Sequence, residues 1–176
     1  MIENNSGCTE VSKRRMSNTR INGVIDGCSS TALYPFYFHG TVVNGFGRGG
    51  RQLGCPTANL DDSAISRLPS DFPTGVFYGF ANINCGEVYG MVTSIGWNLH
   101  FKNERKTIEV HLLHDFEQDF YGAELRAIAL GFLRPMSSFN SLDELKAAIG
   151  NDIEAARNLL SGPKMVPYKK SDFFFQ

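Results

Sequence analysis

The stretch Asn44 to Leu60 (NGFGRGGRQLGCPTANL) holds the residues best suited to chemistry on an anion. Five glycines and two arginines fall within its first eleven residues. Glycine lets a chain turn sharply and bring backbone N–H groups close to a phosphate. Glycine content alone suits a flexible hairpin loop equally well. Gly45, Gly47 and Gly50 match GxGxxG in form, but a dinucleotide-binding loop must open a helix, and here Pro56 and an extended PTAN follow. No GxxxxGK[ST] run is present, which excludes a P-loop.

Thr57 and Asn59 stand two apart in extended chain, so both side chains can point to one side. A hydroxyl and an amide oxygen are hard donors suited to Mg²⁺, a cation usually held by few protein ligands plus nucleotide phosphates. An Asx-type turn after Pro56 is the competing account of the pair. Glu109 sits in the alternating run Thr107 to Leu113 (TIEVHLL). Ile108, Val110 and Leu112 face one way, and Thr107, Glu109 and His111 face the other. A carboxylate there is either an ordinary solvent-facing or ion-paired side chain or a general base for a hydroxyl nucleophile.

The elements that must position these groups are mostly strands. Phe36–Val43, Gly75–Ile83 and Val88–Ile95 are rich in aromatic and β-branched residues, and Thr107–Leu113 alternates. Leu125–Leu133 reads as a fifth strand with a helix as the alternative. Short strands between Gly- and Asn-containing turns predict a closed or sandwiched antiparallel sheet. Ser141, with Glu144 three residues on, forms a capping box. Leu142, Leu145, Ile149, Ile153, Ala156 and Leu160 then recur at helical spacing. Gly150-Asn151 is a candidate bend in that helix, and Ser161-Gly162-Pro163 ends it. The aromatics of SDFFFQ at the C-terminus are expected to pack back on the sheet. Residues 1–33 are rich in Asn, Ser, Gly, Lys and Arg with no apolar period, and read as a flexible N-terminal extension to a domain spanning 34–176.

Composition removes several classes of function. The 176 residues carry net charge −1, with 42% hydrophobic and 20% charged residues, a globular profile that offers no bulk electrostatic attraction to nucleic acid. No apolar run approaches the ~20 residues of a membrane-spanning helix. The N-terminus has no apolar core of a secretory signal, so the expected compartment is cytoplasmic, an organellar one remaining open. Cys8, Cys28, Cys55 and Cys85 lack CxxC spacing and are expected to be reduced and not to bind metal.

Taken together, GFGRGGRQLGCPTAN, TGVFYGFANI, VTSIGWN, IEVHLLHDFEQDFYG and LGFLRP, in this order, resemble the riboflavin kinase (flavokinase) family in its monofunctional, eukaryotic-like form. The resemblance covers about Phe36 to Leu160. It implies a closed, six-stranded antiparallel Greek-key β-barrel with a C-terminal α-helix packed against it. It implies transfer of the ATP γ-phosphoryl group to the ribityl 5′-hydroxyl of riboflavin, giving FMN and ADP, with Mg²⁺ or Zn²⁺. It places Gly45 and Arg51 at the ATP phosphates, Thr57 and Asn59 on the metal and nucleotide, and Glu109 as the catalytic carboxylate. Leu112, His114 and Tyr121 would line the nucleotide pocket. Arg134, with Ser137 and Leu142, would meet the flavin. Relatives often carry Glu and Lys soon after LRP, where this chain has Met136-Ser137-Ser138, which puts a charged flavin contact in doubt. Segments 44–56 and 97–106 are long and polar enough to act as lids. The expected partners are riboflavin/FMN and ATP/ADP, with no nucleic acid and no membrane, and the expected state is a monomer. A bifunctional FMN- and FAD-forming enzyme is not expected, because the roughly 33 leading residues cannot form a second nucleotidyltransferase domain. The rival class is a non-catalytic flavin- or nucleotide-binding β-barrel, which would need no carboxylate beside metal donors.

Overall fold

The computed structural model describes residues 33–45, 54–97 and 106–176. Strands β1 (Phe36–Val43), β2 (Ala58–Leu60), β3 (Gly75–Ile83), β4 (Tyr89–Gly96), β5 (Thr107–Leu112) and β6 (Glu124–Arg134) close into a barrel in the order β1-β2-β5-β4-β3-β6. Every pairing is antiparallel. β3, β4 and β5 follow one another as a meander, and β6 returns beside β3, the Greek-key arrangement. The ambiguous segment after Leu125 is therefore a strand. Its pairing with both β1 and β3 overrides the helical propensity of its Leu and Ala residues.

Alternation along each strand fills the barrel. Phe38, Val42, Ala58, Leu60, Phe77, Ala81, Met91, Ile95, Ile108, Val110 and Leu112 are all buried in one core with Leu125, Ala127 and Ala129. The Phe77 ring packs among Tyr34, Phe72 and Phe132. β3 and β6 approach so closely at a register shift that a Cβ on Gly79 would overlap the Ile128 carbonyl oxygen. A short helix, α1 (Asp62–Ser66), was not apparent in the sequence. Five residues are too few to show a period, and its signal is the Asp61 N-cap, whose side chain accepts from Ala64 N at 3.3 Å.

The outer face of β3 and β4 is covered by helix α2 (Leu142–Leu160), with Ile153 and Ala156 on Val76 and Val92. The Ser141 half of the capping box forms as expected, while Glu144 reaches one residue beyond the N-cap. Ser141 Oγ accepts from Glu144 N at 3.1 Å, and Glu144 Oε2 accepts from Asn140 N at 2.9 Å. α2 runs unbroken through Gly150-Asn151. The C-terminal aromatics do return to the barrel: Phe174 is fully buried against Phe80, Val88 and Ile128, and Phe173 lies edge-on to Tyr37. Asn82 holds this segment by donating from Nδ2 to Phe174 O at 2.9 Å. Phe175 stays exposed. Among the described residues, no helix is long and apolar enough to cross a membrane.

Candidate active site

β5 sorts its residues by parity. Ile108, Val110 and Leu112 point into the core, which leaves Glu109 and His111 half-buried on the outer face. Thr107 shares their parity yet is nearly buried, with its hydroxyl 3.3 Å from both Gly96 O and Glu109 Oε1. A hydroxyl has one proton to donate, so these two acceptors share it. The Glu109 backbone is pinned from the inside, where the buried Thr93 hydroxyl donates to Glu109 O at 3.0 Å.

Register then decides what Glu109 faces. Asn59 of β2 pairs with Glu109 on one side and with Val43 of β1 on the other. Ser94 of β4 pairs with Glu109 from the opposite side. Directly opposed residues have Cβ atoms about 4.5–5.5 Å apart, so the Asn59 amide, the Glu109 carboxylate and the Ser94 hydroxyl form one outward row. Gly45 crosses this row. A Cβ there would collide with the Asn59 carboxamide, so a side chain at this position would have to displace the amide. Thr57 is exposed just before β2 and shares the parity of Asn59. Arg51 and the rest of the glycine-rich segment 46–53 lie outside the described residues, as does 98–105, most of the second candidate lid.

The donor set near Glu109 suits a hard cation. Thr57 and Asn59 offer neutral oxygens. Among the described residues no group of three or more His, Cys, Asp or Glu could hold a metal by itself. A cation here would take most of its ligands from a bound polyphosphate.

The proposed nucleotide-pocket residues are dispersed. His114 stacks on Tyr89 with ring centroids 4.2 Å apart, and Phe116 stands edge-on to both. Tyr121 is exposed, whereas the Leu112 side chain lies in the barrel core, so that only its backbone can meet a ligand.

The remaining candidates gather where β6 meets α2. Arg134 Nε lies 2.9 and 3.1 Å from the two carboxylate oxygens of Asp152, and Nη2 lies 2.8 Å from Oδ2. Nη1 donates to Pro135 O, and the Phe139 ring sits 5.6 Å from the guanidinium carbon. Ser137 Oγ donates to Pro135 O at 3.5 Å, and Leu142 is exposed at the start of α2. Arg134 pairs with Val76, and Val76 with Ser94, so Arg134 belongs to the same cross-strand row as Glu109. Three strand spacings separate them, about 14 Å. Alternation could have flagged Thr107 and His111. Ser94 needed the register, and Asp152 needed the packing of α2.

The chain matches the family model described as riboflavin kinase over residues 32–160. Human riboflavin kinase is 46% identical over 140 residues, covering 80% of this chain and 90% of the relative. The Arabidopsis thaliana bifunctional riboflavin kinase/FMN phosphatase is 46% identical over 135 residues, 77% of this chain and 36% of that longer protein. The crystal structure of riboflavin kinase from Trypanosoma brucei superposes with a TM-score of 0.64 at 32% identity, covering 81% of this chain and 90% of that one.

Proposed function

The chain belongs to the riboflavin kinase family, and from that membership we propose that it transfers the ATP γ-phosphoryl group to the ribityl 5′-hydroxyl of riboflavin, giving FMN and ADP. One observation carries the assignment of roles to this chain's residues: the register that seats Asn59 beside Glu109, with Gly45 folded over the amide. A non-catalytic flavin- or nucleotide-binding barrel is not favoured, because binding alone requires no carboxylate next to hard metal donors.

In phosphoryl transfer a protein mainly positions groups and neutralises developing charge. In our reading the Gly45 turn and Arg51 receive the β- and γ-phosphates. Thr57 and Asn59 hold the divalent cation, which when bound neutralises phosphate charge. We favour Mg²⁺ over Zn²⁺, because the two side chains offer neutral oxygens and no thiolate. Glu109 orients the 5′-hydroxyl and accepts its proton at a carboxylate oxygen late in the step, and the Thr107 hydroxyl limits the rotation of that carboxylate. Arg134, fixed by Asp152, meets the flavin ring with Ser137 and Leu142. Leu112 backbone, His114 and Tyr121 serve the nucleotide, and segments 44–56 and 97–106 act as lids. The site is built within residues 34–176 of one chain, which fits a monomer with residues 1–33 as an extension.

The test is incubation of the purified chain with riboflavin, ATP and Mg²⁺, with chromatographic detection of FMN. Stoichiometric FMN and ADP support the reading. Tight flavin binding with no FMN would replace it with the non-catalytic barrel.

A further inference from the structure

β2 is held to β5 through Ala58–Val110 and Asn59–Glu109, and the ladder stops there. Continuing the same register would set residue 57 opposite His111. Pro56 has no N–H to extend the ladder. A side chain makes the join instead: His111 Nδ1 lies 2.9 Å from Pro56 O. A carbonyl oxygen only accepts, so Nδ1 carries the proton in this contact. The bond spans the point where Thr57, exposed and outside the ladder, must be held if its hydroxyl is to stand beside Asn59. Among the described residues, the nearest strand on its N-terminal side is β1, which ends at Val43.

We propose that His111 is a positioning residue for the cation-bearing end of the site, fixing Pro56 and thereby presenting the Thr57 hydroxyl to a nucleotide-bound divalent cation. This inference rests on the reading of Thr57 as a cation ligand. It adds a residue that acts through Thr57 and touches neither substrate.

The test uses the full chain and calorimetric binding of ADP with and without Mg²⁺. His111→Ala removes the donor. His111→Asn keeps an N–H donor near the position of Nδ1, whereas His111→Gln moves it one carbon outward. Losing one hydrogen bond's worth of positioning predicts that His111→Ala weakens Mg·ADP binding about five- to tenfold. ADP without Mg²⁺ and riboflavin should both bind within about twofold of the parent, and His111→Asn, but not His111→Gln, should restore Mg·ADP binding. Thr57→Val should show the same metal-dependent loss, and His111→Ala added to Thr57→Val should weaken binding no further, because coupled residues are not additive. Unchanged Mg·ADP binding in His111→Ala beside a clear loss in Thr57→Val would overturn the positioning role alone. No loss in Thr57→Val would overturn the ligand reading beneath it. Additive losses, or equal weakening with and without Mg²⁺, would likewise reject action through Thr57. If His111→Ala fails to fold, the Asn and Gln variants decide by the same comparison.

Discussion

Replacing Glu109 with Gln tests the general-base role with little disturbance to the barrel. Glu109 stands on the outer face between Asn59 and Ser94, and its backbone carbonyl is held by Thr93. Gln keeps the side-chain volume and a carbonyl oxygen to accept from Thr107, 3.3 Å away in the parent. The fold should therefore hold, with stability altered by about 0.5 kcal/mol or less, as for surface changes generally. The chemistry should not hold, because an amide cannot accept the ribityl proton at neutral pH. A positioned base contributes about 10²- to 10⁴-fold, or roughly 3 to 5 kcal/mol of barrier. Proton transfer is late in a loose phosphoryl transfer, and Gln retains part of the positioning, so the loss belongs at the lower end. The expected kcat is down by about 10²-fold, with Tm and Mg·ADP affinity close to the parent's. All three are measured on one preparation. Near-normal turnover from a folded Glu109→Gln chain would refute the reasoning and leave Glu109 an ordinary outer-face carboxylate.

Gly45→Ala should push the Asn59 amide aside, because its Cβ has no other space, and lower kcat and Mg·ADP affinity together by about tenfold or more. Asp152→Ala strips Arg134 of a bidentate partner. It should cost about 2–3 kcal/mol, less than the roughly 3–5 of a fully buried pair, since Arg134 keeps 26% of its side chain exposed. Thermal unfolding and the KM for riboflavin check it, and an unchanged Tm would contradict it. At Asp61, burial raises the carboxyl pKa, but hydrogen bonds from Ser63 and the Ala64 and Thr41 backbone, with the Arg67 charge, outweigh it and leave it below 3.8. A lowered folded-state value stabilises above 3.8 and loses that stabilisation as pH falls through it. Asp61→Ala should therefore cost about 1 kcal/mol of helix capping at pH 7, read by urea unfolding, and the gap from the parent should narrow in acid. Deleting residues 1–30 should leave soluble protein with turnover within about threefold of the full chain, a result that insoluble or inactive protein would contradict.

The parts legible in the sequence are those set by local pattern. β1 and β3 end where their aromatic and β-branched runs end, and α2 follows its capping box and apolar stripe. β4 and β5 are each displaced or shortened by a residue from the expected spans, within the usual uncertainty of strand ends. Alternation placed Glu109 on the outer face but could not say which strand lay beside it. That depends on β2 inserting between β1 and β5, a long-range choice that no three-residue run encodes. For the same reason Arg134 gave no hint of Asp152, a carboxylate on a helix that becomes its neighbour only when α2 docks on the barrel.

The candidate site occupies the stretch where the barrel wall is least supported by its own ladder. β3 pairs along most of its length with both β4 and β6, whereas β2 contributes only Ala58, Asn59 and Leu60. A short strand leaves neighbouring backbone polar groups outside the ladder, free to face a ligand, but it also leaves them weakly held. Side chains supply the missing constraint. Thr93 ties Glu109 from the core, Thr107 ties its carboxylate from the rim, and His111 ties Pro56 where the ladder ends. The long β3–β4 and β3–β6 pairings carry the stability of the barrel. The short β2 is therefore free to present Asn59 and the adjoining Thr57 at the surface, with a few hydrogen bonds, each contributing about 1 kcal/mol, setting their positions.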